Sequence, residues 1–178
     1  MSTSIGVFCG SSVGNNPHYA KETKALGHLM ADKGMTMVYG GGQAGLMGIA
    51  ADAVLEKGGK VIGVIPEFLN TKERKHNNLT QQIEVQTMHQ RKTILYELST
   101  MAIALPGGFG TLDELFEIIT WNQLTLHTKT VGLLNVDGFY DHLYQHILHV
   151  GNEGFAPKLQ IENLHMAPTA EELLLKMA

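Results

Sequence analysis

The chain has 178 residues, 44% of them apolar, with a formal net charge of −4. That length and apolar share fit one domain with a sizeable core. The lack of any basic block argues against nucleic acid or an anionic membrane as a partner. The single cysteine, Cys9, excludes an intrachain disulfide framework and a cysteine-rich zinc site. The opening MSTSIGVFCG has neither the basic region nor the long apolar region of a secretory leader. No apolar run approaches the ~18 residues of a membrane span, so a soluble, cytoplasmic protein is the expectation.

Strand-like and helix-like segments alternate along the chain. SIGVFC (Ser4–Cys9) is a short apolar run ending in Gly-Ser-Ser. Pro17 opens a helical stretch to about residue 32, and Gly34 stops it. MTMVY (Met35–Tyr39) reads as a second strand, followed by three glycines. Gly45–Glu56 reads as a small-residue helix, and KVIGVI (Lys60–Ile65) as a third strand. A polar loop of roughly fifteen residues leads to a short strand at IEVQT (Ile83–Thr87), then to a helix over Met88–Ser99. MAIAL (Met101–Leu105) is the next strand, and a helix is expected from Thr111 to Leu124. TVGLLN (Thr130–Asn135), a helix over Gly138–Val150, IENLHM and a last helix from Pro168 complete the chain. Five-residue apolar runs between longer helices argue for βαβ units. Runs that are continuously apolar argue for strands buried on both faces. The expected fold is therefore α/β and Rossmann-like, a doubly wound, mostly parallel sheet with helices on both faces, in one domain over residues 1–178.

Parallel strands share one C-terminal edge, where ligands of open α/β sheets bind. Three glycine-bearing loops leave strands there: Gly10-Ser11-Ser12, the stretch Gly40–Gly48 containing Gly41 and Gly42, and Gly107-Gly108-Phe109-Gly110-Thr111. The last two run directly into helix starts, whose N–H groups and dipole favour an anion. Any one loop could be a turn that needs positive φ; three on one edge point to a phosphorylated ligand. GGGQAG (Gly40–Gly45) also satisfies G-x-G-x-x-G, with Glu67 about 22 residues on, as in a dinucleotide fingerprint. It follows the second strand rather than the first, however, and an NAD(P)-binding reading leaves the PGGFGT loop without a role. No G-x-x-x-x-G-K-[ST] is present. In MHQRK (Met88–Lys92), the adjacent Arg91 and Lys92 diverge by about 100° on a helix. One can therefore grip an anion while the other points elsewhere.

CGSS (Cys9–Ser12), YGGGQAGLMG (Tyr39–Gly48), VIGVIP (Val61–Pro66), MHQRK, LPGGFGTLDE (Leu105–Glu114), ITWNQL (Ile119–Leu124) and KTVGLLNVDGFYD (Lys129–Asp141) stand in that order. In these motifs, over nearly its whole length, the chain closely resembles the LOG family, the cytokinin riboside 5′-monophosphate phosphoribohydrolases. Members of that family are often labelled "lysine decarboxylase". The resemblance implies a Rossmann-like homodimer with no metal and no redox cofactor. It implies hydrolysis of the N-glycosidic bond of a nucleoside 5′-monophosphate to free base and ribose 5-phosphate. The family's catalytic arginine and glutamate match Arg91 and Glu114. Its phosphate loop matches Gly107, Gly108, Gly110 and Thr111, and its other substrate contacts match Glu73, Lys92 and Thr120.

The residues suit that chemistry in their own right. Breaking an N-glycosidic bond builds positive charge on the ribose, which a carboxylate can steady while it orients water. Arg91 can pair with Glu114 and hold it ionised, or bind the substrate's phosphate or sugar. Glu114 has a competing reading, since Thr111-Leu-Asp-Glu114 fits the capping box S/T-x-x-E. Glu117, one turn on, could share the same face. His142, His146 and His149 lie at metal-compatible helical spacing, but without an acidic partner at the usual distance. Cys9 reads as a small buried residue, and Trp121 and Leu124 as packing or dimer contacts. A non-catalytic nucleotide-binding protein is the alternative from another class. A pyridoxal-dependent decarboxylase has no lysine in an evident Schiff-base setting.

Overall fold

A computed structural model describes residues 3–69 and 75–178. Seven strands join one all-parallel sheet: β1 (Ser4–Phe8), β2 (Thr36–Tyr39), β3 (Lys60–Pro66), β4 (Gln81–Val85), β5 (Met101–Ala104), β6 (Thr130–Leu134) and β7 (Leu164–Ala167). Their spatial order is β4-β3-β2-β1-β5-β6-β7. The chain winds outward from β1 to β4, then crosses back to place β5 on the free side of β1. Ile5 of β1 thus pairs with Met37 on one side and Met101 on the other. The β1/β5 boundary is the point where strand order reverses, the position at which such sheets open a crevice.

The helices are α1 (Pro17–Asp32), α2 (Gly45–Glu56), α3 (Met88–Leu98), α4 (Phe109–Gln123), α5 (Asp141–Asn152), α6 (Lys158–Glu162) and α7 (Ala170–Lys176). Alternate strand residues feed two cores. Ile5, Val7, Met37, Tyr39 and Ile103 pack with Leu26, Met30, Leu46 and Leu173 under α1, α2 and α7. Phe8, Val38, Val64, Ala102 and Ala104 pack with Leu95, Tyr96, Leu115, Ile118 and Ile147 under α3, α4 and α5. Burial on both faces is why these strands read as unbroken apolar runs.

The element boundaries differ from expectation where side-chain bonds set the ends. β4 begins at Gln81 and stops at Val85 because Thr87 is already the cap of α3. The Thr87 side chain accepts from Gln90 N–H, and the Gln90 side chain accepts from Thr87 N–H, a full capping box. The helix expected from Gly138 starts at Asp141, after a 3₁₀ turn over Val136–Gly138 in which Asp137 has φ 49°. There Asn135 donates to Asp141 and accepts from Tyr140 N–H, tying the turn shut. The short helix α6 was not anticipated; none of its five residues is fully buried.

Since α3 carries Arg91 into the sheet edge, its start matters. Thr87→Ala is expected to cost about 1 kcal/mol, within the usual range for a lost N-cap, read as a shift of the urea midpoint at unchanged m-value.

Candidate active site

At the reversal point β1 and β5 leave the sheet side by side, and their loops bond directly. Gly10 N–H donates to Pro106 O at 3.1 Å, and Leu46 N–H, at the start of α2, donates to Gly10 O at 3.0 Å. A Cβ on Gly107 would fall 2.1 Å from Thr111 Oγ1 and 2.9 Å from Gly10 N, so this approach requires glycine.

The N-termini of α2 and α4 differ. The Gly10 carbonyl takes the Leu46 donor of α2, and the preceding glycine loop is engaged by other segments. Gly40 O accepts from Arg91, Gly41 O accepts from His76 N–H, and Gly42 forms a β-bridge with Lys75. On α4 the N-cap is Gly108, which has no side chain to offer, and the first bond of the helix runs from Leu112 N–H to Gly108 O. The N–H groups of Phe109, Gly110 and Thr111 precede that ladder and form an anion-accepting end. A Cβ on Gly108 or Gly110 would meet nothing within 4 Å.

This end of α4 opens into a cavity of about 250 Å³. Cys9, Gly10, Ser11, Met47, Met88, Arg91, Gly108–Thr111, Asp113 and Glu114 line it. Arg91 is 6% exposed. Its Nε donates to Val64 O at 3.1 Å and its Nη2 to Gly40 O at 2.9 Å. A Cβ on Gly40 would lie 2.0 Å from Nη2, so glycine is what lets the guanidinium reach that carbonyl. Glu114 is half-buried. The capping-box reading of Glu114 does not hold. α4 begins at Phe109, so Thr111 is its third residue and Glu114 its sixth, too deep to reach the cap.

Arg91 and Lys92 do diverge. Lys92 turns to α4, with Nζ 2.8 Å from Asp113 and 3.2 Å from Glu117. Burial acts to lower the Lys92 ammonium; its hydrogen bonds with Asp113 and Glu117 outweigh that and hold it above the ordinary lysine value. Tyr96 Oη donates to Glu117 at 2.8 Å and lies 3.3 Å from the Glu114 carbonyl. Burial, then the bond to Glu117, pushes the Tyr96 hydroxyl far up. Burial, then the charge of Glu114, does the same to the Cys9 thiol, so Cys9 lines the cavity as an inert group.

Of the residues singled out in the sequence, the cavity gathers Gly10, Ser11, Arg91, Gly108, Gly110, Thr111 and Glu114. Gly107 lies on the adjoining wall, which faces a second cavity. Gly41 and Gly42 are buried within their own loop and do not line the cavity. Lys92 belongs to the α3–α4 clamp, and Thr120 is on the exposed side of α4, where its hydroxyl bonds Phe116 O. Glu73 lies outside the described residues. Met47, Met88, Phe109 and Asp113 join the lining without having been expected there. Trp121 packs, edge-on to Tyr96 at 4.9 Å, while Leu124 is 60% exposed. His142, His146 and His149 are exposed on α5, and among the described residues no group of three His, Cys, Asp or Glu side chains could hold a metal ion.

A doubly wound parallel sheet with an anion-accepting helix end, a carboxylate and a buried guanidinium at its reversal point defines an α/β protein with its cavity where ligands of such sheets bind. Residues 47–177 match the family model described as "possible lysine decarboxylase". The chain is 46% identical over 170 residues to a cytokinin riboside 5′-monophosphate phosphoribohydrolase of Arabidopsis thaliana, covering 96% of this chain and 80% of the relative. It is 44% identical over 173 residues to one from Oryza sativa subsp. japonica, covering 97% and 72%. The chain belongs to this family, the LOG family. Among solved structures, the molybdenum cofactor binding protein from Rippkaea orientalis superposes with a TM-score of 0.74 at 24% identity, covering 99% of this chain and 95% of that one. A molybdenum cofactor carrier protein from Chlamydomonas reinhardtii gives 0.76 at 19%, covering 99% and 96%. Both share the fold.

Two glycines of the site are expected to respond oppositely to alanine. Gly40→Ala must displace the Arg91 guanidinium and should cost about 1–3 kcal/mol, as overpacking does. Gly110→Ala meets open space inside a helix and should stabilise by up to about 1 kcal/mol. Urea unfolding of the two variants beside the parent measures both signs.

Proposed function

We propose that the chain hydrolyses the N-glycosidic bond of a nucleoside 5′-monophosphate, releasing free base and ribose 5-phosphate. The observation that carries this reading is that Arg91, Glu114 and the open N-terminus of α4 line one cavity. The names of the relatives agree with it. The 5′-phosphate sits on the N–H groups of Phe109, Gly110 and Thr111, which the side-chain-free Gly108 and Gly110 leave approachable. Glu114, one to two turns into the same helix, faces the sugar. As the C1′–N bond lengthens, positive charge grows on the ribose and the carboxylate steadies it. Water adds at C1′, and the base leaves with the bond's electron pair and takes up a proton. Arg91, a permanent cation at the floor, favours the ionised form of Glu114 and attracts the anionic substrate. Phosphate binding remote from the scissile bond is what drives the chemistry at the sugar.

The enzyme is a cytoplasmic homodimer in this reading. The apolar surface around α4 and α5 supports self-association: Phe116, Leu124, Leu126 and Phe155 are 42%, 60%, 65% and 80% exposed. Thr120 lies on that same side, in a groove with Phe116, Ile119 and Phe155.

Incubation with AMP and with isopentenyladenosine monophosphate should release free base, and adenosine should react far more slowly; equal rates on AMP and adenosine would remove the phosphate assignment. Glu114→Gln keeps shape and loses charge, so turnover should drop roughly 10²–10⁴-fold while ribose 5-phosphate still binds. A variant that binds and turns over like the parent would point instead to a cavity that only holds nucleotide. Light scattering at micromolar concentration should give twice the 19.4 kDa chain mass.

A further inference from the structure

We propose that Asp52 and His76 form a positioning pair for Arg91, holding the Gly40–Gly42 backbone so that the Gly40 carbonyl stays on the guanidinium. The inference rests on the reading of Arg91 given above. His76 is 1% exposed, and its Nε2 lies 2.9 Å from Asp52 Oδ1 on α2. Asn78 N–H donates to its Nδ1 at 3.3 Å. A backbone N–H can only donate, so Nδ1 is the acceptor and Nε2 carries the proton toward Asp52. Both ring nitrogens are thereby used, and the ring is held at both ends.

The main chain of His76 does the holding. Its N–H donates to Gly41 O at 3.1 Å, and the neighbouring Lys75 bridges Gly42 in antiparallel sense. The loop it grips contains three consecutive glycines, which have no side chains of their own to limit rotation. Gly41 stands at φ +77°, pressed against β3, where a Cβ would be 3.2 Å from Ile65 Cβ. One peptide before it, Gly40 O receives Arg91 Nη2. Rotation at Gly41 would swing that carbonyl away, and the His76 bond is what opposes it. The Asp52 side chain is 59% exposed, and such a contact contributes little net stability. Its consequence lies in where it sets His76.

Asp52→Ala, His76→Gln and His76→Ala test this in the full chain. Asp52→Ala should lower kcat on AMP by roughly tenfold or more, since small misplacement of a reacting group can cost on the order of 100-fold. KM should be little changed, and the thermal midpoint should move by less than about 4 °C. His76→Gln can still donate to Asp52 and should retain kcat within about threefold of the parent, while adding Asp52→Ala to it should restore the full loss. A second readout is independent of turnover. Phenylglyoxal modification of Arg91, mapped by mass spectrometry, should be slow in the parent, where the guanidinium is buried, and clearly faster in Asp52→Ala. An Asp52→Ala protein with parental kcat, or with Arg91 no more reactive than in the parent, overturns the proposal. If the parent releases no base, the proposed function falls and the Arg91 labelling alone decides the pair.

Discussion

A guanidinium that is almost fully buried and always charged must be satisfied where it lies. Arg91 is set at the C-terminal ends of parallel strands, where main-chain carbonyls gather, and two of them, Gly40 O after β2 and Val64 O within β3, receive its donors. Much of the site follows from that requirement. Gly40 must be glycine because Nη2 occupies the space of a Cβ. The turn after β2 must be tight and externally braced. α3 must begin with a firm cap one turn before Arg91, and Thr87 with Gln90 supplies it. The cation in turn makes the cavity a place where a carboxylate and a phosphate can both remain ionised.

The opposite wall is built by a different device. α4 is fixed from below by Leu115 and Ile118 in the core and from the side by Lys92, which engages Asp113 and Glu117. Tyr96 adds a hydrogen bond to Glu117 and lies close to the Glu114 carbonyl. Arg91, Lys92 and Tyr96 thus stand on one helix: Arg91 faces the sheet edge, and Lys92 and Tyr96, one turn apart, face α4. The relative position of Arg91 and Glu114 is set by α3 as a rigid spacer, as the proposed joint action on one substrate needs.

Most of the sheet was legible in the sequence because two-sided burial leaves continuous apolar runs, and α1 and α2 were bounded by Pro17, Gly34 and Gly58. The loops at Gly10 and at Gly108–Gly110 do meet at one sheet edge, around a cavity. What misled was chemistry that resembles a rule. Thr111-x-x-Glu114 spells a capping box, yet a glycine N-cap with no side chain lets α4 start two residues earlier. The box that does form, Thr87-x-x-Gln90, is spelled as plainly, and it overlaps MHQRK, whose charges suggest a ligand site instead. Lys92 reads as a free cation until α4 is brought beside it. Nothing local links Asp52 with His76, 24 residues apart, because their meeting depends on the crossing of α2 with the return of the chain after β3.

The shared fold with molybdenum cofactor proteins shows how little the architecture alone decides. A reversal point with an open helix end accepts an anion in any such sheet. Three glycines of this chain separate room for a ligand from the demands of folding. Gly40 is required by the protein's own packing, whereas Gly108 and Gly110 face empty space, and at Gly110, inside the helix, alanine would be the more stable choice. A residue kept against stability is accounted for by what must come close to it. At the head of α4 the bare backbone leaves room for an anionic group, one to two turns from Glu114, which among the described lining residues is the partly buried carboxylate. Binding needs the first feature; cleavage needs the second, held opposite a buried cation.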